Sequence, residues 1–185
     1  MIDSSAQSEQ VALDALEEQL KNVKHRPLKE WSPEHQGEIA IRIKRDGSWL
    51  YQDSPINRQA LVKLFASVLL CENDNHYLIT PVEKLRIEVD DAPFVATTMQ
   101  VFHASTAEQV IAFTSNIDEQ VIVDAEHRLW VEYDAEEQPA PYVHIRDGLN
   151  ALLSRSVWLE LAQYIEEHSE KLVVRSSGTI FALQS

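Results

Sequence analysis

The hydrophobic positions change their period along the chain, and each change predicts an element. From residue 8 to residue 24, Leu13, Leu16, Leu20 and Val23 recur three and four apart, which predicts an N-terminal helix docked along a narrow seam. "HRPLKEWSPEHQGE" interrupts that stripe with Pro27 and Pro33, whose missing amide donors and crowded preceding residues make the segment a linker. In "IAIRIKRDGSWLYQ" apolar and polar residues alternate on both sides of Asp46-Gly47, predicting a hairpin over 39–52 with Trp49 and Tyr51 on one face. Leu61, Leu64, Phe65, Val68 and Leu69 then return to helical spacing, a second helix that ends at "ENDN" with Cys71 at its close. Strand-like runs follow near 77–80, 85–89, 94–103, 109–114, 120–124, 128–133 and 142–146. Leu149, Leu152, Leu153, Val157, Leu161 and Ile165 predict a long helix over 148–167. "KLVVR" and "TIFAL" are the last strands, joined by a turn at "SSG".

The chain also echoes itself. "WLYQDSPINRQALVKLFASVLLCENDNHYLITPVEKLRIEV" and "PYVHIRDGLNALLSRSVWLELAQYIEEHSEKLVVRSSGTIFAL" both read strand, helix, strand, turn, strand. "RIEVDDAPFV" and "RLWVEYDAEEQPAPYV" share an arginine, an alternating strand, an acidic turn and an Ala-Pro-aromatic-Val sequence. In both echoes the carboxylates fall between two strands and ahead of a proline, where acidic residues initiate turns. Asp90 and Asp91 are therefore read as turn residues, because neighbours in extended chain point opposite ways and rarely converge on one atom. The fold expected is α+β. A helix and linker over 1–38 lead into two duplicated strand-helix-strand-hairpin units, 39–91 and 92–185, with mostly antiparallel sheets.

At 185 residues the chain is long enough to bury a core without metal or disulfide. Its one cysteine excludes a disulfide framework and suits a reducing compartment. No basic region leads into an apolar run at the start, and the longest apolar patch is too short to span a bilayer, so a soluble cytoplasmic protein is expected. The formal net charge is −14. Residues 1–91 carry 16 acidic and 11 basic side chains, and residues 92–185 carry 14 and 5, so the acidity is concentrated in the second half. Such a chain repels phosphate backbones and anionic lipid, although Lys21, Lys24, Arg26, Lys29, Arg42, Lys44 and Arg45 could form a local basic face.

Catalytic patterns are not found. The seven histidines show none of the close helical spacings that bring two imidazoles to one ion, although His103 and His144 could meet across a sheet. Cys71 follows an apolar stripe and precedes Glu72, the setting of a structural thiol and not of a nucleophile. Gly37, Gly47, Gly148 and Gly178 stand alone, so no phosphate loop exists, and "SSG" lacks the residues of a nucleophile elbow. No cofactor and no metal are expected.

"DGSWLYQDSPINRQALVKLF", "YLITPVEK", "VDDAPF", "FTSN" and "PYVHIRDGLNALLSR", in that order and at these spacings, resemble the bacterial domain-of-unknown-function family 1285 over about residues 38–183. Ser115 in "FTSN" departs conservatively from the family's more usual threonine. The resemblance implies a duplicated α+β core, a second half similar to a pleckstrin-homology fold, no established activity, and a suggested role in binding a protein or nucleic-acid partner in signal transduction. It points to Thr80, Pro81, Glu83, Lys84, Asp90, Asp91, Phe94, Tyr142, Arg146 and Arg155 as the partner-binding residues. The expectation is a non-enzymatic binding or regulatory module that engages a protein partner between its two halves, with Glu83, Lys84, Arg146 and Arg155 lining the groove. The alternatives are a nucleic-acid binder using basic residues 21–45, and a hydrolase or metal enzyme using Asp90, Asp91 and nearby histidines.

Overall fold

The computed structural model describes residues 28–133 and 135–183, so the expected helix over 8–24 lies outside the described residues. Those residues form fifteen strands and only two α-helices, of eight and seven residues. The expected α+β balance is therefore corrected: the protein is mostly β.

The described residues divide into two compact units. The first holds residues up to Arg42 together with Trp49–Glu88, and the second holds Ile43–Ser48 and everything from Val89 onward. The first unit is built on β1 (His35–Ile43), β2 (Trp49–Tyr51), β3 (Ser54–Pro55), α1 (Gln59–Ala66), β4 (Leu69–Glu72), β5 (Asn75–Ile79) and β6 (Glu83–Val89). Its sheet runs in the order β3-β2-β1-β6-β5-β4. Asp46-Gly47 turns the expected hairpin, with the Lys44 carbonyl accepting from the Gly47 N–H at 2.9 Å. The helix expected from the Leu61–Leu69 stripe is shorter than that stripe, running only from Gln59 to Ala66. Val68 N–H reaches back to the Phe65 carbonyl and closes α1, so Leu69 and Leu70 enter a strand and are buried there.

Unit two contains β7 (Phe94–Phe102), β8 (Val110–Ser115), β9 (Gln120–Ile122), β10 (Leu129–Tyr133), β11 (Pro139–Arg146), β12 (Leu149–Leu153) and α2 (Arg155–Leu161). A separate three-stranded sheet follows, made of β13 (Glu166–His168), β14 (Lys171–Ser176) and β15 (Thr179–Ala182). The six-stranded sheet runs β10-β11-β12-β7-β8-β9. Read from the β9 edge, it repeats the first unit's order: third, second, first, sixth, fifth, fourth. The duplicated element is thus a six-stranded sheet. The strand-helix-hairpin order of the sequence echo exists, but its second copy ends in the separate small sheet.

The predicted long helix over 148–167 is a strand followed by a helix of seven residues and a 3₁₀ turn, Ala162–Tyr164. Leu149, Leu153, Val157 and Leu161 are spaced by four, a multiple of both two and roughly one helical turn. The backbone is decided by pairing: β12 is antiparallel to β11 and parallel to β7, so its residues are covered from both sides. Ser154 ends the strand, and its hydroxyl accepts from the Val157 N–H to cap α2.

The tip of the first hairpin is bound into the second unit. The Asn116 carboxamide donates to the Gly47 carbonyl at 3.2 Å and accepts from the Val95 N–H at 3.0 Å, while Asp90 N–H donates to the Ile43 carbonyl. Gly47 has φ +83°, and a Cβ there would stand 2.7 Å from Asn116 Nδ2 and 3.0 Å from Val95 Cγ2. Gly47→Ala is expected to cost roughly 1–3 kcal/mol through left-handed strain and this clash, read as a lower denaturant midpoint. A midpoint equal to wild type would show that the tip is not held this way.

In the first unit, burial holds His76 below the ordinary imidazole value, with Asp74 pulling the other way. The unfolded chain therefore binds this proton more readily than the folded one. His76's contribution to stability is complete above about pH 6.5 and is lost as the pH falls below it. His76→Gln should flatten the decline in unfolding midpoint between pH 7.5 and 5.5; an unchanged slope would assign that decline to other groups.

Candidate functional site

The second unit gathers the clearest polar and aromatic constellation among the described residues. Antiparallel pairing of β10, β11 and β12 places Trp130 opposite Tyr142 and Tyr142 opposite Leu152, so the three form a row on one sheet face. The Trp130 and Tyr142 rings stack with centroids 5.5 Å apart, an offset arrangement that ring quadrupoles favour. Ala92 and Ala140 complete the small cluster beneath them. The Tyr142 hydroxyl donates to Asp91 Oδ1 at 2.8 Å, and Arg45 Nε from the hairpin tip lies 3.1 Å from Asp91 Oδ2. Trp130 Nε1 donates to Glu132 at 3.1 Å. Burial, reinforced by the adjacent carboxylate, raises the Tyr142 phenol well above its usual value, so it serves as a donor.

Asp90 and Asp91 do lie in the bend between β6 and β7, but they differ in role. Asp90 is exposed, whereas Asp91 anchors a phenol that is only 8% accessible and an arginine. Asp90→Asn should change stability by about half a kcal/mol or less. Asp91→Ala should cost roughly 1–2 kcal/mol, because it orphans the Tyr142 hydroxyl. In a double-mutant cycle with Tyr142→Phe the two losses should not add; strict additivity would mean that the bond contributes nothing.

The other expected residues divide between the units. In the first, Thr80 is buried, and its hydroxyl accepts from the Val82 and Glu83 N–H groups to close the β5–β6 turn, with Pro81 exposed beside it. Glu83 is half-buried. Lys84 pairs with Glu72 and lies over the Tyr77 ring, 4.4 Å from its centroid. In the second, Phe94 is fully buried with the Arg146 guanidinium over its ring at 5.8 Å, and Arg146 also bonds Glu119 at 3.0 Å. Arg155 is exposed at the start of α2. The structure thus joins Asp91 to Tyr142 and Phe94 to Arg146. Arg45 and Trp130 complete the first of these groups and were absent from the expected set. The signal for Trp130 lay in the echo itself, since folding "RLWVEYDAEEQPAPYV" about its acidic turn sets Trp130 against Tyr142.

Other candidate groups are occupied structurally. His144 stacks on His127, with centroids 6.1 Å apart, while His103 lies in the turn after β7. Burial, with Asp74 and Glu72 adding to it, raises the Cys71 thiol and disfavours a thiolate. Among the described residues no group of three or more His, Cys, Asp or Glu is placed to hold a metal, and no helix is long and apolar enough to cross a membrane. Of the basic residues between 21 and 45, Lys44 lies 3.9 Å from Asp46 and Arg45 faces Asp91. Lys21, Lys24 and Arg26 lie outside the described residues.

These features define a two-unit, mostly-β protein with a duplicated six-stranded sheet. The sequence models for the N-terminal domain of DUF1285, a domain of unknown function, and for the C-terminal domain of the same family match residues 26–92 and 93–183. A crystal structure of a DUF1285 family protein from Silicibacter pomeroyi DSS-3 is similar, with 40% identity and a TM-score of 0.84 over 90% of this chain and 92% of that one. A second, from Shewanella baltica OS155, is 24% identical with a TM-score of 0.53, over 68% of this chain and 91% of its own, and shares the fold. No curated protein matches the chain. The chain belongs to the DUF1285 family.

Proposed function

We propose that this protein is a non-enzymatic binding module of a regulatory kind, acting in signal transduction, and that the Arg45–Asp91–Tyr142–Trp130 patch holds a protein partner. The observation that carries this reading is the patch's pre-organisation. Its carboxylate is already engaged by a phenol and a guanidinium, and its aromatic rings are fixed by stacking. The raised values of Tyr142 and Cys71 run against a poised base or nucleophile. Arginine, tryptophan and tyrosine set in a rigid frame are the side chains that dominate protein interfaces, because they bury much area at little entropic cost.

The test is capture from native lysate with the wild-type chain and with Trp130→Ala and Arg45→Glu, each checked for fold by circular dichroism. A partner retained by wild type and lost by both variants supports the reading; one bound equally by all three places the site elsewhere. Binding across 50–200 mM salt separates the nucleic-acid alternative. A protein interface should show a shallow dependence, whereas phosphate contacts by several cations would weaken binding by about 10³-fold or more.

A further inference from the structure

On the outer face of β7, β8 and β9, in a chain of net charge −14, no side chain is charged. Pairing sets Gln100, Ala112 and Ile122 in one row and Thr98, Thr114 and Gln120 in the next, with Phe102 beside Val110. Phe102 and Ile122 are 50% and 49% exposed, while Met99, Ile111, Phe113 and Val121 fill the buried side of the same strands. A solvated sheet face ordinarily carries charges, which oppose association. Here they are missing where two large apolar side chains meet water.

Charge reappears at the two ends of these strands; every charged side chain in their own loops is acidic, while Arg146 and the hairpin tip bring cations to the β8–β9 turn. Residues 92–127 contain no lysine or arginine. Glu108 precedes β8, and Asp124 and Glu126 follow β9, so the antiparallel pairing puts all three toward one end. Asp118 and Glu119 occupy the β8–β9 turn at the other. The ends are about 15 Å apart at ~3.3 Å per residue. Glu119 shares its charge with Arg146, and Asp124 accepts from the Glu126 and His127 N–H groups, which fixes its carboxylate in place. Arg128 is the next cation along the chain, and Arg45 is already spent on Asp91.

We propose that this face docks a protein segment whose apolar side chains are flanked by lysine or arginine. The apolar residues cover Phe102 and Ile122, and the cations reach the carboxylates at the two ends. Complementary charge then steers approach and fixes orientation. A second copy of this chain would bring two acidic rims together, and nucleic acid or anionic lipid would meet the same negative field. The surface shares no residue with the Arg45–Tyr142 patch, so each is tested by its own variants.

The probe is a fluorescein-labelled Lys-Leu-Lys-Leu-Lys-Leu-Lys peptide, titrated with the full chain and read by anisotropy. Controls replace its lysines by glutamate or its leucines by serine. Binding should weaken at least tenfold in Phe102→Ser/Ile122→Ser, in Glu108→Gln/Asp118→Asn, and with either control peptide. Leu159→Ser, an exposed apolar position on α2 at 59%, should leave it unchanged. Gln100→Lys puts a cation on the face at an exposed position; it should weaken the lysine peptide at least tenfold and serves if the double variants misfold. Equal binding of the glutamate peptide, or wild-type affinity in Gln100→Lys, overturns the proposal. So does a wild-type dimer in sedimentation that Phe102→Ser dissociates, since that assigns the face to a second copy.

Discussion

Phe94→Ala should lower the stability of the second unit by roughly 3–5 kcal/mol, the range for emptying a fully buried phenylalanine site. Phe94 opens β7 directly after Pro93 and has no accessible surface. Its backbone pairs with Ala151 in the parallel β7–β12 junction, and Arg146 covers its ring. Truncation therefore opens a cavity at the centre of the six-stranded sheet and removes the surface on which Arg146 rests. Urea denaturation followed by tryptophan emission is the measurement, since Trp130 and Trp158 lie in this unit. The midpoint should fall by about 1–3 M for ordinary urea dependences. Phe94→Leu should recover much of the loss; a midpoint for Phe94→Ala within error of wild type would remove Phe94 from the core.

A fragment of residues 93–183, the span matched by the C-terminal family model, should be less stable than the same residues in the intact chain by about 3–6 kcal/mol. It lacks Ile43–Ser48 and Asp91, which belong to the second unit. Without them the Tyr142 hydroxyl loses its acceptor, Asn116 loses the Gly47 carbonyl, and Val95 and Tyr142, each 8% exposed in the intact chain, are opened to water. Extending the fragment back to Val89 restores Asp91 but not the hairpin tip, so it should recover only part of the difference. Cooperative unfolding of 93–183 at the intact chain's midpoint would show that the tip is a passenger.

How far the sequence could be read follows from how local each determinant is. The strands between 77 and 146 were legible because alternation and turn residues act over a few positions, and Asp46-Gly47 specifies its hairpin unaided. The segment after Gly148 was not, because Leu149, Leu153, Val157 and Leu161 satisfy a strand period and a helix period alike. Its partners, β11 and β7, decide the outcome from elsewhere in the sheet. Taken as one helix, this segment makes the sequence look α+β, whereas it is a strand, a short helix and a 3₁₀ turn. The site divides in the same way. Asp91 is visible as a turn residue, but its acceptor role depends on Tyr142, 51 positions away. Its other partner, Arg45, is one of several surface cations by sequence, and only the hairpin tip's place in the second unit brings it to Asp91.

The bond between Asn116 and Gly47 spans 69 residues, and it has a consequence for synthesis. A ribosome working at ~5–20 residues per second makes the tip several seconds before Asn116 exists. β1 is made before the tip and β2 to β6 are polymerised in that interval, so by Val89 the first sheet has its full set of strands while Gly47 and Arg45 still lack their partners. The nascent second sheet then grows toward a hairpin that is already made. A slowed stretch of translation just after Glu88 would give the first unit time to close, whereas a stall between Val95 and Asn116 would leave a half-built, charge-poor sheet exposed.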